Sequence, residues 1–175
     1  MAVLPIVKYG DPLLRKKAER VIDVQTVPGL LDDMFETMYE EAGMGLAANQ
    51  VGLDMNFAII DISHEDEGEF PHIIINPEIL ESSGSDDLEE GCLSIPEIRA
   101  TISRPEEVLV EYQDPTGETH REQFNGLLAR VIQHEVDHLN GVFYIDHLTP
   151  VKRAMINKRL AEIAETGAPS TGITL

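Results

Sequence analysis

Apolar residues recur at helical spacing in two stretches of the chain. Leu31, Met34, Phe35 and Met38 form the first stripe, which predicts a helix from about residue 26 to Ala42, stopped by Gly43. Leu127, Leu128, Val131, Ile132 and Leu139 form the second, in a helix from Asn125 to Asn140 with Gly141 in the C-terminal cap. That stripe is wide, so the second helix should lie centrally against a sheet. Between the two helices the pattern shortens. Apolar runs at 57–60 and 73–75 predict strands joined by an acidic, solvated loop over 65–69. Residues 107–112 and 118–124 flank Asp114, Pro115, Thr116 and Gly117, whose chemistry suits a hairpin turn. A further strand-like run occupies 142–145. Asp11 and Pro12 open a short basic helix through Lys17, and 152–164 predicts a last helix. Residues 166–174 are small and polar and predict a frayed end. The class is α+β, with short, mainly antiparallel strands around a central helix. We expect one domain over 1–164 and a flexible tail over 165–175.

Charge narrows the function classes. Thirteen Lys and Arg against thirty-two Asp and Glu leave a net charge of −19, a field that repels phosphate backbones and disfavours general nucleic-acid binding. The first apolar stretch, residues 1–7, is broken by Pro5 and falls far short of a membrane span or signal core. We therefore expect a cytoplasmic protein without a membrane partner. A single cysteine, Cys92, cannot form an internal disulfide.

Chemistry concentrates on the central helix. His134-Glu135-Val136-Asp137-His138 places two imidazoles four residues apart on one face, where they can grip one ion. Glu135 is rotated by about 100° from His134, so it can reach water beside the ion without ligating the ion. A bland charged helix produces the same pattern by chance, but this helix is too apolar for a surface element. Two histidines and a glutamate buried without an ion would be costly. A catalytic ion needs a third protein ligand and one open position. Downstream, Asp146 and His147 follow the helix stop at Gly141. Upstream lies Cys92, within Glu90-Gly91-Cys92-Leu93-Ser94. A lone cysteine is ordinarily a small buried hydrophobe, yet a His/His/Cys set is chemically complete, and Gly91 lets the backbone approach closely.

A glycine-rich stretch runs from Gly43 through Met44, Gly45, Leu46, Ala47, Ala48 and Asn49 to Gln50. It lacks the Gly-Lys-Ser/Thr of a phosphate loop. The bland reading is a flexible turn. The functional reading is exposed backbone that hydrogen-bonds an extended peptide, with the Gln50 amide as a further donor.

Taken together and in this order, the GMGLAANQ, EGCLS and QHEVDHLNG segments resemble the signature of peptide deformylases, and residues 5–15 resemble that family's opening segment. The resemblance implies a hydrolase that removes the formyl group from the N-terminal methionine of new proteins. It implies Cys92, His134 and His138 as metal ligands, Glu135 as the proton carrier, and Gln50 with the Leu93 N–H as oxyanion donors. Met44, Gly45, Gly91, Leu127, Arg130 and Val131 fall where such enzymes hold the methionine and its peptide, with Arg99 on the same surface. Met44 and Arg130 stand at positions that vary in the family, often with a branched aliphatic residue. The resemblance points to ferrous iron, and Zn2+, Ni2+ or Co2+ also suit the ligand set. Two competing readings share the motif: a zinc endopeptidase with another third ligand, and a binding module with a structural ion. Only three convincing ligands are visible, against the four of a closed structural site. Near the end, Lys152, Arg153, Lys158 and Arg159 form a basic cluster, read either as a solvated helix face or as a contact with the ribosome.

Overall fold

Five strands and the longest apolar helix build the centre of the computed structural model, which describes residues 2–175. Met1, the start of the expected domain and of the first apolar stretch, lies outside the described residues. The strands are β1 (Gly45–Ala47), β2 (Phe57–Ile60), β3 (His72–Ser83), β4 (Asp86–Cys92), β5 (Ile95–Arg104), β6 (Glu107–Gln113), β7 (Thr119–Asn125) and β8 (Ile173–Thr174). The helices are α1 (Pro28–Glu40), α2 (Gly126–Leu139) and α3 (Pro150–Thr166). One sheet has the order β1-β2-β3-β6-β7, with every neighbouring pair antiparallel. A second sheet pairs β4 with β5 and adds β8. The α+β class with mainly antiparallel strands around a central helix is what the chain adopts.

The stripe on α2 does what its width predicts. Leu128, Val131, Ile132 and Leu139 pack with Ile60, Ile74, Val108 and Val110 of the first sheet. On the other side of that sheet's edge, Met34 and Met38 of α1 are fully buried with Phe57 and Ile59 of β2. A third cluster joins Ile98, Ala100 and Ile102 of β5 to Ile156, Leu160 and Ile163 of α3.

Several local expectations are corrected. The first helix stops at a non-glycine residue: Ala42 takes φ 54°, and the Gly43 N–H returns to the Met38 carbonyl. The N-terminal basic helix is only a 3-10 turn over Pro12–Arg15, because Lys16 is extended and Ala18 donates to the Leu139 carbonyl. The glycine-rich stretch is no flexible turn. It forms β1 and a 3-10 turn over Ala48–Val51, and Leu46 through Gln50 are buried. The strand-like run at 142–145 enters another 3-10 turn, Tyr144–His147. The expected flexible tail folds back: β8 runs parallel to β5, and Leu175 both donates to Arg99 and accepts from Thr101. The pairing partner lies seventy-five residues upstream, out of reach of any local pattern.

Candidate metal centre

Two elements separated in sequence meet at one point. Cys92 ends β4, while His134 and His138 lie one turn apart on α2. The Cys92 Sγ is 3.1 Å from His138 Nε2, which is 3.2 Å from His134 Nε2. All three donor atoms lie within 4.8 Å of one another. The other third-ligand candidates are engaged elsewhere: Asp146 pairs with Arg15, and His147 with Asp137.

The donor set fits a borderline divalent ion. Two imidazole nitrogens and a thiol suit zinc, iron, cobalt or nickel, and three protein ligands leave a position for water. Burial, together with the nearby His134 and Arg104, holds His138 well below its usual pKa and so favours its neutral form. His134 is oriented from behind, because its Nδ1 lies 2.8 Å from Glu90 Oε1 and its Nε2 is left for the site.

Glu90 is the hub of that support. Its two oxygens also receive Arg104 at 2.6 and 3.0 Å and Arg130 at 2.6 Å. Burial pushes this carboxyl up, but the hydrogen bonds to His134 and Arg104 outweigh burial and hold it well below the usual range. Sequence reasoning gave Glu90 no role, although it stands inside the EGCLS segment. It missed Arg104 as well, and there the chain carries no local signal.

Glu135 is 4% exposed, and its Oε2 has no hydrogen-bond partner among the described residues. Burial pushes its carboxyl up to about 7. A dication held by the three donors would draw it down again. Gly45 makes room for it: a Cβ there would lie 2.7 Å from Glu135 Oε1. Gln50 is fixed at both ends of its amide. Its Oε1 accepts from the Ala47 N–H at 3.0 Å, and its Nε2 reaches Ser94 Oγ at 3.1 Å and Cys92 Sγ at 3.6 Å. The N-terminal segment straps this arrangement from outside, since Val7 donates to the Gln50 carbonyl and Tyr9 to the Ser94 carbonyl.

A cavity of about 430 Å³ opens onto these groups. Met44, Gly45, Gly91, Leu93, Leu127 and Val131 all line it. Arg99 borders it but is exposed and bound to Glu89 at 2.5 Å. Arg130 also borders it, yet its guanidinium is committed to Glu90 and to the Ile102 and Asp86 carbonyls. β1 is the edge strand of its sheet beside this cavity. The model of the family described as polypeptide deformylase matches residues 3–154.

This chain belongs to the peptide deformylase family.

Its relatives are similar from end to end. Peptide deformylase 2 of Xanthomonas axonopodis pv. citri is 47% identical over 166 residues, covering 93% of this chain and 96% of the relative. The peptide deformylase of Mesorhizobium japonicum is 44% identical, with 97% of each chain covered. The crystal structure of a peptide deformylase from Legionella pneumophila superposes with a TM-score of 0.84 at 40% identity, covering 95% of this chain and 98% of that one. The deformylase is thus a hydrolase that removes the N-formyl group of newly made proteins, and like its family it depends on a metal.

Proposed function

We propose that Cys92, His134 and His138 hold one divalent ion, that Glu135 carries the proton, and that the Gln50 amide and the Leu93 N–H bind the formyl oxygen as it gains charge. One observation carries this reading: the three donors converge beside a buried carboxylate, one oxygen of which has no partner among the described residues. When bound, the ion supplies Lewis acidity and water ionised near neutral pH. Glu135 accepts the proton lost by the attacking water and returns it to the amine nitrogen as the carbon–nitrogen bond breaks. Water and formamide thereby become formate and a free amino terminus. The Gln50 amide cannot turn away from the site, because Ala47 holds its oxygen. Met44, Gly45, Gly91, Leu127 and Val131 receive the methionine side chain and its backbone, and the edge of β1 offers hydrogen bonds to an extended peptide. Arg99 contributes at the mouth. Gln50→Ala is expected to lower kcat by roughly 10²-fold with little change in KM. An unchanged kcat with a raised KM makes Gln50 a positioning residue instead.

The working ion is ferrous iron in this reading. Zinc binds such ligands more tightly than iron, so affinity does not select the ion. The thiolate of Cys92 beside a redox-active ion is open to oxidation. Protein prepared without oxygen should release formate from a formyl-methionyl peptide fastest with iron and lose activity in air as Cys92 oxidises. Nickel or cobalt should give active, air-stable forms, and zinc a slower one. The measurement is formate released per bound metal, with Cys92 followed by mass spectrometry. Fastest turnover with zinc, or an iron form indifferent to air, rejects the iron assignment. Cleavage inside the peptide without formate would instead favour an endopeptidase.

The substrate emerges at ribosomes, which supports a cytoplasmic site of action. Among the described residues no helix is long and apolar enough to cross a membrane. Recovery of the protein in an envelope fraction would contradict that placement. A ribosome contact through α3 has narrower support than the four basic residues first promised. Arg153 pairs with Asp146, and Arg159 donates to the Thr171 and Met155 carbonyls, while Lys152 and Lys158 are exposed. Binding to purified ribosomes should weaken with salt and with Lys152→Glu plus Lys158→Glu. Binding that ignores both changes rejects the contact.

A further inference from the structure

Arg130 is placed on α2 one turn before His134, 5% exposed, in a wall of the cavity. Its resemblance-based place was in the peptide pocket, but its hydrogen bonds run the other way. Nη1 donates to Glu90 Oε2 at 2.6 Å and to the Ile102 carbonyl at 3.0 Å. Nη2 donates to the Asp86 carbonyl at 2.7 Å. One guanidinium therefore ties α2 to two points along β4, Asp86 and Glu90, and to β5.

The acceptor that matters is Glu90. Its Oε2 is shared by Arg130 and by Arg104 Nε, and its Oε1 takes Arg104 Nη2 and His134 Nδ1. A carboxylate gripped on one oxygen by two guanidiniums has no freedom to rotate its other oxygen away from the imidazole. Cys92 follows Glu90 by two residues on the same strand, so the link that fixes Glu90 against α2 also sets the distance between the thiol and the two histidines. We propose that Arg130 is a positioning residue for the metal centre, acting through Glu90 on His134 and through β4 on Cys92, and is not a peptide-binding residue.

The fork of donors is what the place requires. Three acceptors lie in separate directions, and a planar guanidinium reaches all of them, whereas a lysine ammonium has a compact head on a flexible stem. Groups that orient a metal-bound imidazole typically change metal affinity or activity by about 10- to 100-fold when removed. Arg104 still holds Glu90 when Arg130 is gone, which places the expected effect near the lower end.

The inference rests on His134 and Cys92 being ligands, and the test separates the two claims. Arg130→Met and Arg130→Lys are loaded with Zn2+, and zinc transfer to a chromophoric chelator is timed. kcat and KM for a formyl-methionyl peptide are measured alongside thermal unfolding. In Arg130→Met, zinc release should be about ten-fold faster and kcat lower, with KM within about two-fold of the parent. Arg130→Lys, which keeps one charged contact, should fall between and serves alone if the methionine variant does not fold. A raised KM with parental zinc release makes Arg130 a peptide-binding residue and overturns the proposal. Lower thermal stability with parental zinc release and kcat makes it merely structural, which also overturns it. If His134→Ala holds zinc as the parent does, the ligand assignment fails first, independently of Arg130.

Discussion

Glu135→Ala is expected to reduce kcat by roughly 10²- to 10⁴-fold while the chain keeps its metal, the range associated with loss of a positioned proton carrier. The carboxylate adjoins the donor set without belonging to it. Its Oε2 is buried without a partner among the described residues, and the lack of a Cβ at Gly45 leaves the room that its Oε1 occupies. A group so placed gains nothing for the fold. It is desolvated, and burial is the largest cause that raises its pKa to about 7. Its removal should therefore leave the unfolding temperature close to the parent's, separating its cost to activity from any cost to stability. Glu135→Gln should be as inactive, because the amide fills the same space and cannot accept the proton. Metal content by elemental analysis, formate release and thermal unfolding together decide it. Loss of metal with retained turnover would reverse the assignment of ligand and base.

Glu90→Ala is expected to lower stability by about 3 kcal/mol, the lower part of the range for breaking a buried ionic network, and to loosen the metal as well. The estimate sits low because each arginine keeps other partners. Arg104 retains Asp137 at 2.9 Å, and Arg130 retains two backbone carbonyls. For a chain of this length each kcal/mol corresponds to about 2–4 °C in Tm. The pH dependence has a definite sign. The folded-state pKa of Glu90 is depressed, so its stabilisation is complete above the unfolded-state value and is lost as the pH falls well below the usual carboxylate range. Glu90→Gln should remove that acid-dependent component from the metal-free protein while preserving the shape of the side chain. Unfolding curves for both variants at neutral and acid pH provide the check. Parental stability in Glu90→Ala would mean that the two arginines are solvated in solution and that the network is not a support for His134.

What the amino-acid order determined by itself was local. The 3.6-residue stripe of α2 and its HExxH residues share one segment, so both the helix and the face carrying His134 and His138 followed from spacing alone. The β6–β7 hairpin followed from the turn chemistry of Asp114 to Gly117, and the deformylase signature from three short ordered segments. The β4–β5 hairpin did not follow, although β5 buries alternate residues from Ile98 to Arg104. Acidic residues dominate β4, and Arg104 at a buried position breaks the apolar alternation that marks a strand. That Cys92 meets two histidines more than forty residues away followed from the resemblance and not from spacing, and tertiary structure alone decided that Glu90 gathers Arg104, Arg130 and His134 on one carboxylate. It also committed the guanidinium of Arg130, in the cavity wall, to that network and drew 173–174 onto β5. The physical reason is common to all of these. Periodicity reports how a segment exposes its own faces, whereas ligand convergence, charge pairing and strand addition depend on which distant segment closes the contact.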